Sequence, residues 1–272
     1  MTLAAAMPAD SAVISDLWFE TSLGGNSIGY AHEVVSTEQT SVVTNIESQI
    51  VAERMGTPVL IDARELWYEK PDGTPLSYRS TRRLAIEQTK LDATVEEGTV
   101  RVRATIGDEA SHKMLDLEGQ ILWPFAVREL HGEHVATEGA TYSLITFDPD
   151  LQEIVTYDAE VLGPETVAML GEARSLQKIL LVSPSYPDVE FFEWRDENGA
   201  LWKSEAPQLS LSVVRTTKQA ATASKEAADL VASTMIETNV TIQGPFDVDN
   251  ALYELWLEDG SDISGKIPES VG

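Results

Sequence analysis

The chain contains no cysteine. That absence removes disulfides, thiolate nucleophiles and Cys-based zinc sites together, and it leaves the redox compartment open, since a cysteine-free chain tolerates both. Histidine is nearly as scarce, with four residues, so few side chains titrate near neutrality. Basic residues are also few: 19 Lys and Arg stand against 45 Asp and Glu, a formal charge of −26. Such a surface is repelled by phosphate backbones and anionic headgroups, which disfavours nucleic acid and membrane surfaces as partners. Long apolar runs are missing. Stretches such as Ile179-Leu180-Leu181-Val182 are strand-sized, far short of the ~18 residues of a membrane span. Met1 to Ala12 carries Ala4-Ala5-Ala6 but no basic or apolar region, and reads as a disordered leader or a trimmed remnant, not an intact signal peptide.

What is present suffices for a core. Hydrophobic residues make up 43% of 272, enough for one large or two modest domains and too many for a disordered chain. Strand-like segments separated by turn signals run from residue 16 to about 215. Leu17-Trp18-Phe19 and Ser27 to Val35 flank Gly24-Gly25-Asn26. Glu65 to Glu69 and Leu76 to Ser80 flank Lys70-Pro71-Asp72-Gly73-Thr74. Phe191 to Trp194 and Leu201 to Lys203 flank Asp196-Glu197-Asn198-Gly199. Each is a hairpin signature. Val100 to Ile106 and Tyr142 to Phe147 add strands with alternating polarity, which favours an antiparallel sheet with one wet and one buried face. Helical signals are two: Trp123 to Gly132, with Pro124 in the first turn and Gly132 read as the exit, and an Ala-rich stretch from about Thr217 to Thr234. The expected division is a leader over 1–15, a curved antiparallel β domain over 16–216, a helix or linker over 217–235, and a short β segment over 236–272. The fold class is mainly β with few helices, a β-sandwich being the alternative.

Candidate chemistry is sparse. Gly25-Asn26-Ser27-Ile28-Gly29 matches the serine-hydrolase elbow, but that motif works on a strand-turn-helix and here the chain leaves as a strand. His131-Gly132-Glu133-His134 offers two imidazoles at i, i+3, a spacing better suited to a solvated helix end than to a metal. Acidic clusters such as Asp148-Pro149-Asp150 do not fit a calcium loop. With 45 acids a carboxylate pair for hydrolysis is one open reading, yet no pair stands out. No catalytic, cofactor or metal residue is therefore nominated. Trp18, Tyr30, Trp67, Tyr78, Trp194 and Trp202 lie in strands. They read either as an aromatic ligand face or as cross-strand core packing.

A set of landmarks recurs in order: Trp18-Phe19 followed by Gly29-Tyr30-Ala31-His32; Leu122-Trp123-Pro124-Phe125-Ala126; Gly139-Ala140-Thr141-Tyr142 leading to Phe147-Asp148-Pro149. Then come Val161 to Val167, Glu193-Trp194-Arg195-Asp196-Glu197-Asn198-Gly199 and Arg215 to Ala220. Over about residues 16–257 this order resembles the non-catalytic region that precedes the catalytic core of bacterial transglutaminase-like proteins. The resemblance implies a strongly curved antiparallel sheet similar to the half-barrel of bacterial lipoprotein carriers, and an extracytoplasmic location. It implies no site residue, because the Cys-His-Asp triad of that core has no counterpart in a cysteine-free chain. The partner it implies is a catalytic domain downstream in the same polypeptide, with no enzyme activity and no cofactor in this chain. Two alternatives stand beside it: a free-standing extracytoplasmic protein binding an apolar or peptidic ligand, and a hydrolase built on a carboxylate pair.

Overall fold

The computed structural model describes residues 11–38, 40–54, 57–85, 87–117, 119–223 and 225, and the backbone of 228–229. Eight strands come first: β1 (Ser11–Leu23), β2 (Asn26–Glu38), β3 (Ser41–Arg54), β4 (Thr57–Glu69), β5 (Pro75–Leu84), β6 (Glu87–Glu96), β7 (Thr99–Ile106) and β8 (Glu109–Asp116). Helix α1 (Pro124–His134) separates them from β9 (Thr141–Asp148), β10 (Glu153–Met169), β11 (Glu172–Val182), β12 (Phe191–Arg195), β13 (Leu201–Ala206) and β14 (Leu211–Thr216). Each set is an antiparallel meander, and β1 pairs with β14 to join them in one sheet. The result is a single, unclosed, curved antiparallel sheet, not two stacked sheets. All three hairpins expected from turn residues are present, as β1–β2, β4–β5 and β12–β13.

The strand order places β8 and β9, consecutive in the chain, at opposite free edges of the sheet. The connection between them must cross the concave side, and it does so as residues 117–140 with α1 in the middle. Leu117 N–H donates to the Gly98 carbonyl and Leu122 N–H to the Ile145 carbonyl, so this segment touches both edges. The two ends of the sheet approach through side chains: Lys113 on β8 pairs with Glu153 at the start of β10, and further in Tyr78 on β5 packs edge-on against Phe147 on β9, ring centroids 5.8 Å apart, while Arg82 pairs with Asp150. Trp67, Trp123 and residues of β6 and β7 fill the space beneath, with Trp123 fully buried. A second cluster, Val135, Leu144, Val161 and Ile179 among its members, packs around the end of α1.

Helix α1 has no side-chain cap of its own at Trp123. Glu69, at the end of β4, supplies one from 56 residues away: Phe125 N–H donates to Oε2 at 2.9 Å and Ala126 N–H to Oε1 at 3.0 Å. The carboxylate is 0% exposed. It satisfies two of the orphan donors of a helix N-terminus and meets the positive end of the helix dipole. At the other end of α1, Gly132 lies inside the helix instead of ending it, which corrects the expected exit. A Cβ at Gly132 would stand 3.3 Å from the Asn198 carbonyl carbon. Gly199 faces it with φ +71°, and a Cβ there would overlap the Arg128 carbonyl oxygen. Both glycines are explained by this close approach of helix and turn.

Of the helix expected over 217–235, the described residues form one turn, α2 (Lys218–Ala221), capped by the Thr217 hydroxyl, which accepts from Ala220 N–H at 3.2 Å, and 230–235 lie outside the described residues. Thr222 turns its hydroxyl back to the Lys218 carbonyl. This local bond competes with continued helix, and an isolated Ala-rich helix is marginal without packing. Further on, β15 (Ala228–Asp229) pairs with β3 in parallel. The leader expected over 1–15 shortens as well: Ser11 to Ser15 belong to β1, recruited by pairing with β2. Residues 1–10 and the segment expected over 236–272 lie outside the described residues.

Two substitutions test the docking of α1. Glu69→Gln replaces one acceptor oxygen by a donor facing the helix N–H groups, and is expected to lower the unfolding free energy by about 1–3 kcal/mol in urea titration. Gly199→Ala combines an overlap with a positive φ, and is expected to cost at least as much, read as a lower urea midpoint.

Candidate functional site

A cavity of about 340 Å³ lies between α1 and the inward side of the sheet. Leu17, Val35, Trp67, Leu144, Leu181 and Phe191 supply its apolar wall. They come from β1, β2, β4, β9, β11 and β12, because every second residue of these strands points inward. The same alternation carries charge inside. Glu33 pairs with Leu17 across β1 and β2, and Glu193 pairs with Ile179 across β11 and β12, so both carboxylates face the cavity. Arg195 follows Glu193 by two residues, and Arg128 and His131 reach the cavity from neighbouring turns of α1.

These groups form a connected set. Arg195 Nε donates to Glu193 Oε2 at 2.7 Å, and Arg195 Nη1 to the Gly199 carbonyl at 2.6 Å. His131 is 0% exposed, with Nδ1 2.6 Å from the Tyr142 hydroxyl and Nε2 3.7 Å from Glu193 Oε2. A hydrogen on Nε2 faces the carboxylate favourably, whereas a lone pair there would be repelled. The tautomer this selects is Nε2–H, with Tyr142 O–H donating to Nδ1. Burial pushes the His131 pKa down to about 2, with Arg195 and His134 pushing the same way. Burial also raises the Tyr142 phenol, so it stays an O–H donor. Glu33 is raised by burial, against the pull of Arg195, Arg128 and Arg215. Glu69, outside the cavity wall, is raised to about 7 by burial, against its two backbone donors.

The six aromatics proposed as one ligand face are dispersed. Trp67 lines the cavity and stacks obliquely on Tyr78, centroids 4.1 Å apart, and Tyr78 is core. Trp194 points away from Glu193 and packs with Trp202 in a third cluster with Met169 and Leu176. Lys178 and Lys203 lie over Trp194, and Arg174 and Arg215 over Trp202. Trp18 and Tyr30 neighbour each other on the face opposite Leu17, with His32 stacked on Trp18 at 3.9 Å. Ser27 sits on β2 after the β1–β2 turn, not on an elbow, and its hydroxyl accepts from Lys225 Nζ at 2.8 Å. The pair His131 and His134 does not form a solvated helix end: His131 is inside, and His134 stacks on Tyr142 at 4.4 Å. Among the described residues no three His, Asp or Glu side chains are grouped as metal ligands.

Glu33, Arg128, Glu193 and Arg195 escaped the reading of the sequence. A signal existed: Phe191, Glu193 and Arg195 share one strand phase, so two charges occupy positions in register with an apolar residue. Arg128 and His131 gave none, because what they face is set by where α1 crosses.

Buried groups of opposed sense contribute to the pH dependence of stability: His131 on one side, and Glu33, Glu65 and Glu69, all raised by burial, on the other. The folded-state pKa of His131 lies below its unfolded value. Its contribution is therefore present above about pH 6.5 and is lost as pH falls, when the unfolded chain takes the proton. Glu69 is raised, so its contribution is greatest below about pH 4.5 and is lost as pH rises towards 7. His131→Phe removes the first effect. Relative to the unmodified chain, its unfolding free energy is expected to rise by up to about 1.4 kcal/mol per pH unit from pH 6.5 to 5, in parallel urea titrations.

No family model and no curated protein matches the chain. Its fold is similar to that of a solved structure from Brucella abortus, a beta-barrel-like protein of the domain of unknown function DUF1849. The TM-score is 0.53 at 14% identity, over 74% of this chain and 94% of that one. That likeness concerns the fold: a curved antiparallel sheet of the barrel-like kind.

Proposed function

We propose that this chain is a non-catalytic binding module whose ligand, apolar in the main, occupies the cavity beneath α1. The observation that carries this reading is the cavity itself: about 340 Å³ with an apolar wall and a few convergent polar groups, within a described structure that packs its other aromatics tightly. The ionisable residues at hand are poor catalysts. A histidine held at about 2 takes up no proton near neutrality and serves as a donor, not a general base. Glu193 is engaged by Arg195, and Ser27 sits by a lysine and a glutamate with no imidazole against it.

The order of sequence landmarks supports a place for the module beside a transglutaminase-like catalytic domain, in an extracytoplasmic compartment, with the binding event positioning something for that domain. Among the described residues no helix is long and apolar enough to cross a membrane. The reading of the chain as a carboxylate-pair hydrolase gains little, because of the two carboxylates on the cavity wall Glu193 is held by Arg195, which leaves Glu33 without a free partner carboxylate.

1-Decanol tests the cavity. It is expected to bind the full chain with one-to-one stoichiometry in titration calorimetry. Thr146, on the cavity wall, offers the control. Thr146→Phe fills the space and is expected to weaken decanol at least tenfold while the unfolding midpoint stays level or rises. Binding of neither 1-decanol nor its carboxylate analogue decanoate to the unmodified chain would overturn the proposal.

A further inference from the structure

Three polar side-chain atoms of cavity-lining residues have no hydrogen-bond partner among the described residues: His131 Nε2, Arg128 Nε and Thr44 Oγ1. All three are shut off from bulk solvent. Each buried polar atom left unpaired costs about 1–3 kcal/mol, and folded proteins satisfy roughly nine in ten of them. Three on the residues of one cavity wall is a concentration with a direction. Arg128 Nε–H is donor only, His131 Nε2 carries hydrogen in the tautomer selected by Glu193, and the Thr44 hydroxyl is free to donate. What the wall lacks is acceptors.

The acceptors of the protein itself are elsewhere. Glu193 spends its carboxylate on Arg195 at 2.7 Å and stands 3.7 Å from His131, beyond hydrogen-bond reach. Glu69 is spent on the N-terminus of α1. Arg128 reaches Ser15 Oγ at 3.5 Å and, among the described residues, no carboxylate. Its guanidinium thus has no carboxylate at ion-pair distance among the described residues, Glu33 being the nearby acid whose charge it feels, in a chain that is otherwise strongly acidic. Burial also biases Glu33, the other carboxylate at the wall, towards its neutral form, which reduces its repulsion of an anion.

Resting on the binding role proposed above, we infer that the ligand is a small apolar monocarboxylate, its carboxylate accepting from the part-exposed guanidinium of Arg128 on α1, with the enclosed His131 behind it. Its apolar body would lie along Trp67, Leu144 and Phe191. An arginine–carboxylate hydrogen bond is among the stronger kinds, and the partial burial of Arg128 strengthens it. The volume sets the size: 340 Å³ holds about eleven non-hydrogen atoms at roughly 30 Å³ each. Decanoate, with ten carbons and two carboxylate oxygens, stands at the upper end of that size.

The experiment titrates the full chain at pH 7 with decanoate, 1-decanol and decyltrimethylammonium, following heat and tryptophan fluorescence. Decanoate is expected to bind one-to-one and at least tenfold more tightly than decanol, with the ammonium weakest. Arg128→Gln is expected to remove most of the difference between decanoate and decanol. The comparison of probes on the unmodified chain needs no variant to fold. Equal affinity for decanoate and decanol, or preference for the ammonium, would overturn the carboxylate assignment and leave the cavity reading standing, with water satisfying the free donors. Binding of none of the three would overturn both.

Discussion

A buried carboxylate holding the start of a helix is the contact on which the architecture turns. The two meanders meet at β1 and β14, which leaves β8 and β9 as free edges of one sheet. Such edges invite pairing with other chains. Here the chain's own crossing segment lies over the gap, and α1 is its rigid part. Glu69 fixes one end of α1 through two backbone hydrogen bonds. The other end is held by the close approach of Gly132 and Gly199, and by Arg195, which donates to the Gly199 carbonyl in the same turn. The helix does not cover a finished core. It is the lid, and the space it leaves beneath is the cavity.

The placement of charge follows from this. A chain with 45 acidic residues keeps most of them on the wet face, yet Glu33, Glu65, Glu69 and Glu193 take inward positions, and burial raises the pKa of the first three. Each has a local reason to be tolerated. Glu65 accepts from Trp67 Nε1 at 3.2 Å, Glu69 accepts from α1, Glu193 accepts from Arg195, and Glu33 lies near three arginines. Desolvation of these groups is costly unless they are paired. The cluster is therefore a property of the curved sheet as much as of any ligand. What sets the cavity apart is the mismatch within it: Glu193 is held by Arg195, while the donors of His131, Arg128 and Thr44 have no partner among the described residues.

The architecture was largely legible. Period-two alternation and turn residues such as Lys70-Pro71-Asp72-Gly73-Thr74 are local signals, and local signals survive in any tertiary context. They located hairpins, strands β7 and β9, and α1. Where the reading strayed, long-range contacts had overruled a local preference. Gly132 stays helical because the turn at Asn198 and Gly199 presses on it. Within the described residues the Ala-rich stretch after Thr217 leaves helix after one turn, with Thr222 bonding back to Lys218. The aromatics divided between core, cavity and outer face, since alternation assigns residues to two faces but does not say which face curls inward.

The amino-acid order alone determined a cysteine-free, acidic, antiparallel sheet with one principal helix, because periodicity, turn chemistry and net charge are properties of neighbouring residues. Tertiary structure alone decided that Glu69 would meet Phe125 and Ala126, and that Arg128 and His131 would share a wall with Glu33 and Glu193. Those meetings join positions from 56 to more than 150 residues apart, and they exist because two meanders share one sheet and the single segment between them has to cross its hollow side.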